Sequence, residues 1–455
     1  MRPRSLAPAV AVVGAGWAGL AGALALAEAG LRVTLFETAP QAGGRARSVT
    51  LATPLGPIAI DNGQHLIVGA YRQTLGLLAR LGAGPLLRRH RLHLVSDRGL
   101  SLRAAPLPAP LHLGWGLLRA GGLDWSERMA MLRMMRALRR ARWQVRPNET
   151  VAALLERLAQ PSGPVSKLWA PLCVGALNTL PAHACARSFA AVLRDTLGAA
   201  RHDCDFVAPD APLGALLPDR GLARLRALGA TIRLRSTLRE LRRSPSGWRL
   251  DAAEEPFAAL LLALPPWSAA APLGRLGVDT SVLQRFVPEP IATAWALWPA
   301  GEAPRLARWS MLEEDPQRAR FGQWVFDRGI IGPARVAGVV VSVASRIADQ
   351  PAQALADGIA AQLRDAFGGP APSAIRIVTE RRATFRCTPG LQRPACDHFG
   401  REAPGLWLAG DYTWPDYPAT IEAAVRSGQR AAAGMLASLA AAPQPQHGHA
   451  TDVPA

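Results

Sequence analysis

A chain of 455 residues with 49% hydrophobic and 19% charged side chains is too apolar for a disordered polymer, and long enough for two domains around a large buried core. Its five cysteines, Cys173, Cys185, Cys204, Cys387 and Cys396, make no CxxC pair and no metal-ligand spacing, which argues against a disulfide scaffold or a bound metal and for a reducing compartment. The net charge of +18 is carried almost wholly by arginine, Lys167 being the only lysine; with no basic stripe interleaved with aromatics it argues against nucleic-acid binding and suits an anionic membrane surface better.

The first predicted elements are a strand over 10–13, a tight turn, a helix stopping at Gly30, and a second strand over 32–36. Gly14, Gly16 and Gly19 supply G-x-G-x-x-G. Gly14 permits the turn, Gly16 lets the backbone approach a diphosphate, and Gly19 lets the helix pack on the strand. Unpaired N–H groups at the helix start point at that diphosphate. Glu37 ends the second strand 18 residues past Gly19, the place of an acid that binds a ribose hydroxyl pair. Residues 9–27 carry no charge and follow Arg2 and Arg4, so they also mimic a membrane span or a secretory signal. The glycine spacing and the second strand favour the nucleotide turn. Gly43-Gly44-Arg45 begins six residues after Glu37. Alone it reads as a surface turn; after a βαβ unit, its glycines fold the backbone close to a cofactor and Arg45 offers a forked guanidinium to phosphate.

Residues 106–122 are apolar and proline-rich. Residues 125–143, WSERMAMLRMMRALRRARW, predict a helix with Leu132, Met135 and Leu138 at helical spacing and Arg133, Arg136 and Arg140 in a basic row. Two readings stand side by side. The helix lies at a membrane interface with 106–122 as an inserting loop, or it packs its Met/Leu face into a domain core. Further on, 229–241 reads as a strand returning to the nucleotide domain, followed by strands over 248–250 and 257–264 with Pro265-Pro266 as a stop. Runs over 291–298, 323–326, 336–344 and 375–378, interrupted by a helix over 352–367, predict a mainly antiparallel sheet. A strand over 406–409 ends in Gly410-Asp411, where Asp411 can accept from ribityl or ribose hydroxyls. Thr420 is placed as the N-cap of a helix from Ile421 to about 439. The N-terminus of that helix suits negative charge on a reduced flavin ring. Residues 441–455 read as a disordered tail.

These residues resemble the phytoene desaturase and amine oxidase superfamily of FAD enzymes, and within it the squalene-associated branch of hydroxysqualene dehydroxylases in hopanoid biosynthesis. Five blocks carry the likeness: the glycine turn with GGRA, IDNGQHLIVGAYRQT at 60–74, LWAPLCVGALNT at 168–179, RSFAAVLRD at 187–195, and AGDYT…YPATIEAAVRSG near the C-terminus. The resemblance implies an α/β fold with a discontinuous Rossmann-like FAD-binding domain, 1–85, 222–268 and 403–440. A second substrate domain of mixed antiparallel sheet and helices, 86–221 and 269–402, accompanies it. FAD is expected against Gly14, Gly16, Gly19, Glu37, Gly43, Gly44, Arg45, Gly410, Asp411, Thr420 and Ile421, with Leu238 turning backbone atoms toward the adenine. The implied reaction is the dehydroxylation of an apolar allylic alcohol, hydroxysqualene, which needs a proton for the leaving hydroxyl, a dry apolar cavity and a hydride from reduced flavin. His65 and Asp61 are the candidate proton donors, each with a structural reading beside it. Gln64, Asn178, Thr179 and Tyr417 are the candidate substrate-lining residues. The expected location is cytoplasmic, peripheral on the inner face of the cell membrane, in contact with upstream squalene-pathway enzymes. A carotenoid or phytoene-type desaturase stays open as an alternative, as does a non-catalytic prenyl-lipid carrier on the same fold. An amine oxidase fits less well, because many members place a lysine near the flavin and Lys167 lies in a different block.

Overall fold

Strand β1 (Ala9–Val13) has four buried residues in a row and no solvent face, so it takes the centre of a parallel sheet. Strand β2 (Arg32–Phe36) pairs on one side of it and the strand Ala259–Leu262 on the other. Thr231–Arg233 and Leu406–Leu408 form the two edges. In this computed structural model, which describes residues 7–251, 253 and 255–441, the sheet is therefore built from both ends of the chain. The expected tail lies outside the described residues beyond Ala441. The uncharged run over 9–27 is strand, turn and helix. Its helix α1 (Trp17–Glu28) is buried along almost its whole length, which is why its composition imitates a span.

Helix α1 packs on this sheet beside the C-terminal helix Ile421–Ala441, which reaches the sheet itself, a Cβ on its Gly434 standing 2.3 Å from the Trp407 ring; the contact between the two helices is backbone on backbone. A Cβ on Gly22 would stand 3.1 Å from the Gly428 carbonyl oxygen, and one on Gly428 would stand 2.1 Å from the Ala18 carbonyl oxygen. The C-terminal helix also holds α2 (Arg72–Arg80), whose own start carries no side-chain cap. The fully buried Glu422 carboxylate accepts from the Gln73 and Thr74 amides at 3.1 and 2.9 Å and from the Thr74 hydroxyl at 2.7 Å. One carboxylate thus satisfies donors that the helix start leaves open.

The long returning strand expected over 229–241 is cut short after Arg233. Arg235 adopts φ 54°, and the chain bends around the end of β2: the Arg235 and Ser236 amides donate to the Ala39 and Glu37 carbonyls at 3.1 and 2.9 Å. Leu238 follows in irregular backbone, half-buried against the core.

The second sheet has five antiparallel strands in the order Trp309–Met311, Trp324–Ile331, Ala334–Val341, Pro288–Pro299, Ala374–Phe385. The helix Ala352–Phe367 covers one face through Ile359 and Leu363. The hairpin of β3 (Ser48–Leu51) and β4 (Ile58–Asp61) packs Ile58 and Ile60 against Trp295, Leu297 and Val336 of the sheet. Asp61 is thereby carried to the join between the glycine-turn half and the antiparallel half.

Residues 106–122 hold a helix where a loop was expected: α3 (Leu111–Leu118) begins directly after Pro110. Next comes α4 (Trp125–Arg140), started by a reciprocal capping box between Asp124 and Glu127. It buries Ala130, Met131, Met134 and Leu138. Of the two readings of this helix, the packing gives the Met/Leu side to the core. The buried stripe is rotated from the expected one, since Leu132 and Met135 are only half-buried, while Arg133, Arg136 and Arg140 are exposed.

The α1 contact has a measurable consequence. Gly428→Ala should destabilise the fold by about 1–3 kcal/mol, the usual cost of overpacking. The check is a chemical-denaturation midpoint that falls with an unchanged slope.

Candidate functional site

The candidate site lies where β1 runs out into the glycine turn. Gly14 has φ +102°, and a Cβ there would stand 2.5 Å from the Ala263 carbonyl oxygen; one on Gly19 would stand 1.9 Å from the Gly14 carbonyl oxygen. Protein packing alone demands these two glycines. Gly16 is different, because a Cβ there would meet only Gly44 Cα, at 4.0 Å. Glycine at this position keeps open a space that the protein does not itself fill. The start of α1 faces the same space with no side-chain cap and no acidic residue in its first turn. An uncapped helix start beside reserved space fits a diphosphate.

The second glycine pair closes on the first. Gly43 donates its amide to the Ala15 carbonyl at 2.9 Å, and a Cβ on Gly44 would come within 3.1 Å of Gly16 Cα. Glu37 sits beside the turn as expected. Its two carboxylate oxygens accept from the Ala15 and Ala39 amides at 2.7 and 2.8 Å, so it braces the turn and keeps lone pairs for a ribose.

Arg45 and Asp411 were assigned separate parts of a cofactor. The structure joins them to each other: Arg45 Nη2 lies 2.9 Å from Asp411 Oδ1, and Nη1 donates to the Ala383 carbonyl at 3.1 Å. Gly410 is held by its amide N–H, which donates to Ser427 Oγ at 2.8 Å. Thr420 accepts from the Ala423 amide at 3.2 Å, which makes it the cap of the helix that Ile421 begins. Next to Asp411, Tyr412 is fully buried and its hydroxyl has no partner, an orphaned polar atom that a bound polar group would satisfy.

Asp61 and His65 sit beyond Arg45. Asp61 is buried, and its Oδ1 accepts the Leu213 amide at 2.7 Å. Burial pushes its pKa up, against the pull of the Leu213 bond and of Arg328. Burial pushes the His65 imidazole down, while Asp61 pulls it up and Arg328 and Arg45 push it further down. His65 Nδ1 lies 2.8 Å from the Gly63 carbonyl oxygen, which can only accept. Nδ1 therefore carries the proton, and the neutral ring presents a bare Nε2. Gln64 donates to the His65 carbonyl at 3.2 Å and leaves its own Oε1 buried without a partner.

Arg328 escaped the sequence reading. The register of its strand shifts between Asp327 and Gly329, which leaves Arg328 as the extra residue of a bulge, its Nη2 3.7 Å from Asp61 Oδ2. Bulges re-aim side chains beside sites. The available signal was Gly329 inside a strand-like run.

The four candidate lining residues are placed unequally. Asn178, in left-handed conformation at the end of the helix Ala170–Leu177, donates to Thr384 Oγ1 at 2.9 Å and accepts from the Val343 amide at 2.6 Å. Thr179 donates to the Leu177 carbonyl and accepts from the Cys387 amide, both at 3.0 Å. Both are buried, and their hydrogen bonds tie a helix end to the antiparallel sheet. Tyr417 gives its hydroxyl to Asp195 at 2.5 Å and lies under the Arg426 guanidinium, 5.2 Å from the ring centre. Gln64 alone of the four keeps a free acceptor. Lys167 bonds the Gly122 carbonyl at 2.7 Å, on the turn between α3 and α4.

The model for flavin-containing amine oxidoreductases matches residues 17–436. A hydroxysqualene dehydroxylase of Rhodopseudomonas palustris is 31% identical over 448 residues, spanning 94% of this chain and 98% of its own. One from Sinorhizobium fredii is 31% identical over 453 residues, spanning 93% and 97%. Among solved structures, an oxidoreductase from Methanosarcina mazei superposes with a TM-score of 0.69 at 14% identity, over 93% of this chain and 99% of its own, a likeness of fold.

The burial of His65 sets a pH dependence. Its folded pKa lies below its ordinary 6.5, so on acidification the unfolded chain takes up a proton that the folded state refuses. Stability should therefore fall as pH drops through about 6.5 toward the lower folded value. His65→Gln should lose less melting temperature than the wild type between about pH 7.5 and 5.5. Equal losses would show that His65 does not contribute.

Proposed function

The chain belongs to the flavin-containing amine oxidoreductase family, and we propose that within it the protein is an FAD-dependent enzyme that reductively dehydroxylates hydroxysqualene to squalene, a step of hopanoid biosynthesis. One observation carries this reading. The relatives whose name states that activity align over nearly the whole of both chains, so the likeness covers the antiparallel half as well as the glycine turn.

Bound FAD, once reduced, supplies the hydride. This chain's residues do the rest. The start of α1 and the space at Gly16 would hold the diphosphate, Glu37 the adenosine ribose, and the backbone at Leu238 the adenine. Arg45 and Asp411, paired with each other, would hold the flavin side of the cofactor. Asp61 and His65 handle the proton. His65, its Nδ1–H fixed on the Gly63 carbonyl, takes up a proton at Nε2 and gives it from that same atom to the leaving hydroxyl, and the neighbouring Asp61 favours the protonated ring. The balance is simple: the substrate hydroxyl leaves as water with that proton, and the hydride that reduced flavin would supply takes its place on the carbon.

The purified protein should be yellow with non-covalent FAD, and Gly16→Val should lose the flavin while keeping its fold. A wild type that stays colourless when given FAD would sink the enzyme reading and leave the lipid-carrier one.

Reduced enzyme under anaerobic conditions should convert hydroxysqualene to squalene with one flavin reoxidised per product. His65→Ala should retain FAD and slow turnover by about 10²-fold or more, the worth of a positioned proton transfer. Wild-type turnover in that variant would leave Asp61 as direct donor. Desaturation of a polyene by oxidised enzyme, with no squalene from reduced enzyme, would replace the dehydroxylase reading with the desaturase one.

A further inference from the structure

An eight-residue surface helix ordinarily hides one apolar stripe and shows water a polar one. Helix α3 does not. It buries His112, Gly116 and Leu117. Its opposite side presents Leu111, Trp115 and Leu118, at spacings of four and three residues, with exposures of 59, 47 and 36%. Trp125, the first residue of α4, is 61% exposed a short turn later. Among the described residues, only Val287 and Ile330 are other large apolar side chains standing this clear of the protein.

This ridge is held rigidly. A Cβ on Gly116 would stand 2.3 Å from the Arg103 carbonyl oxygen, so α3 rests backbone-close on the strand Ser101–Arg103. Arg128 reaches back from α4 and donates to the carbonyls of Leu118, Ala120 and Leu123 at 2.7, 2.6 and 3.0 Å. Lys167 takes the Gly122 carbonyl. The turn between the helices is thus clamped by cations, and the apolar side chains are not a loose flap.

The charge around the ridge has one sign. Residues 106–143 contain seven arginines and two acids. Both acids, Asp124 and Glu127, are spent on each other's amides in the capping box, at 2.8 and 2.9 Å. Arg119 lies over the Trp115 ring at 4.9 Å, and Arg133, Arg136, Arg139 and Arg140 are exposed on α4. Tryptophan and leucine rimmed by arginine match the acyl–headgroup boundary of an anionic bilayer. At about 12 Å, α3 is far too short to span a bilayer, and among the described residues no helix is long and apolar enough to cross one.

We propose that α3 and the start of α4 form an in-plane membrane-docking surface, in which Leu111, Trp115, Leu118 and Trp125 enter the acyl boundary of an anionic leaflet while the α4 arginines stay at its phosphates. The proposal goes beyond the reading of the reaction and stands or falls independently of it.

The test is flotation of the flavin-loaded full chain with vesicles of phosphatidylcholine alone or mixed with phosphatidylglycerol. Wild type should float with the mixed vesicles and weakly with the neutral ones. Leu111→Ser, Trp115→Ser and Leu118→Ser combined should cut the bound fraction by at least about tenfold, the scale of three lost apolar anchors. Flavin absorbance and melting temperature should stay unchanged. Trp115→Phe alone should keep flotation but lose a large part of the fluorescence quenching by brominated lipid, a readout that does not depend on the triple variant folding. Arg133→Gln, Arg136→Gln and Arg140→Gln combined should bind weakly and lose the salt sensitivity of the wild type. Failure of the wild type to float overturns the proposal. So does wild-type flotation of the serine variant, or a wild-type dimer in light scattering that the serine variant abolishes, which would make the ridge a contact between copies. Squalene formation in detergent is unaffected by any of these outcomes.

Discussion

The two ends of this chain meet at a contact that has no room for side chains. Gly19 closes on the Gly14 carbonyl, and Gly428 on the Ala18 carbonyl beside Gly22. These approaches set the height of α1 above the parallel sheet and its distance from the C-terminal helix beside it. Everything in the candidate site hangs from them. Asp411 reaches Arg45 because its strand pairs beside Ala259–Leu262 and because Ser427, one residue before Gly428, takes the Gly410 amide. A helix displaced by the width of a methyl group would draw Ser427 away from Gly410 and Asp411 away from Arg45.

The interior is held by a second constraint, which explains part of the high arginine content. Glu422, Glu289, Asp61 and Asp411 are all buried, and each faces a guanidinium: Arg426, Arg386, Arg328 and Arg45. Buried ion pairs repay their desolvation only with good geometry and with hydrogen bonds for the remaining donors. Arginine meets that demand where lysine does not, because its planar fork serves a carboxylate and a carbonyl at once. Arg45 does so between Asp411 and the Ala383 carbonyl. Arg328 is the loosest of the four at 3.7 Å, and the carboxylate it faces is the one whose pKa burial drives upward. A tight pair would hold Asp61 ionised. A loose one opposes the upward push of burial only weakly.

The cradle and the ridge on α3 share one framework. The hairpin beneath α3, His93–Val95 with Ser101–Arg103, is tied to the antiparallel sheet through the bond from Trp309 Nε1 to the His93 carbonyl at 2.8 Å. The same sheet supports the β3–β4 hairpin that ends at Asp61. In the proposed reading, an apolar substrate would leave a bilayer and meet the flavin along this framework.

The sequence by itself determined what depends on neighbours along the chain. The glycine turn, β1 and β2, the helix over 352–367 and the Thr420 cap follow from local backbone needs, and the structure has them at those places. The place of Glu37 beside the turn was readable because the partners of its carboxylate, Ala15 and Ala39, lie close by in the same stretch of chain. What the chain alone left open depends on which distant surface a side meets. The apolar side of α4 and the arginine side could be sorted only once the core was there to take Met131, Met134 and Leu138. The outward apolar side belongs to α3, where periodicity was masked by a helix apolar on both sides. Asn178 and Thr179 looked like cavity residues in a block of sequence; only the packed sheet supplies Thr384, Val343 and Cys387 to use up their hydrogen bonds. Arg328 is visible only after a bulge turns it toward Asp61, because a one-residue shift in strand register leaves no mark on composition or period.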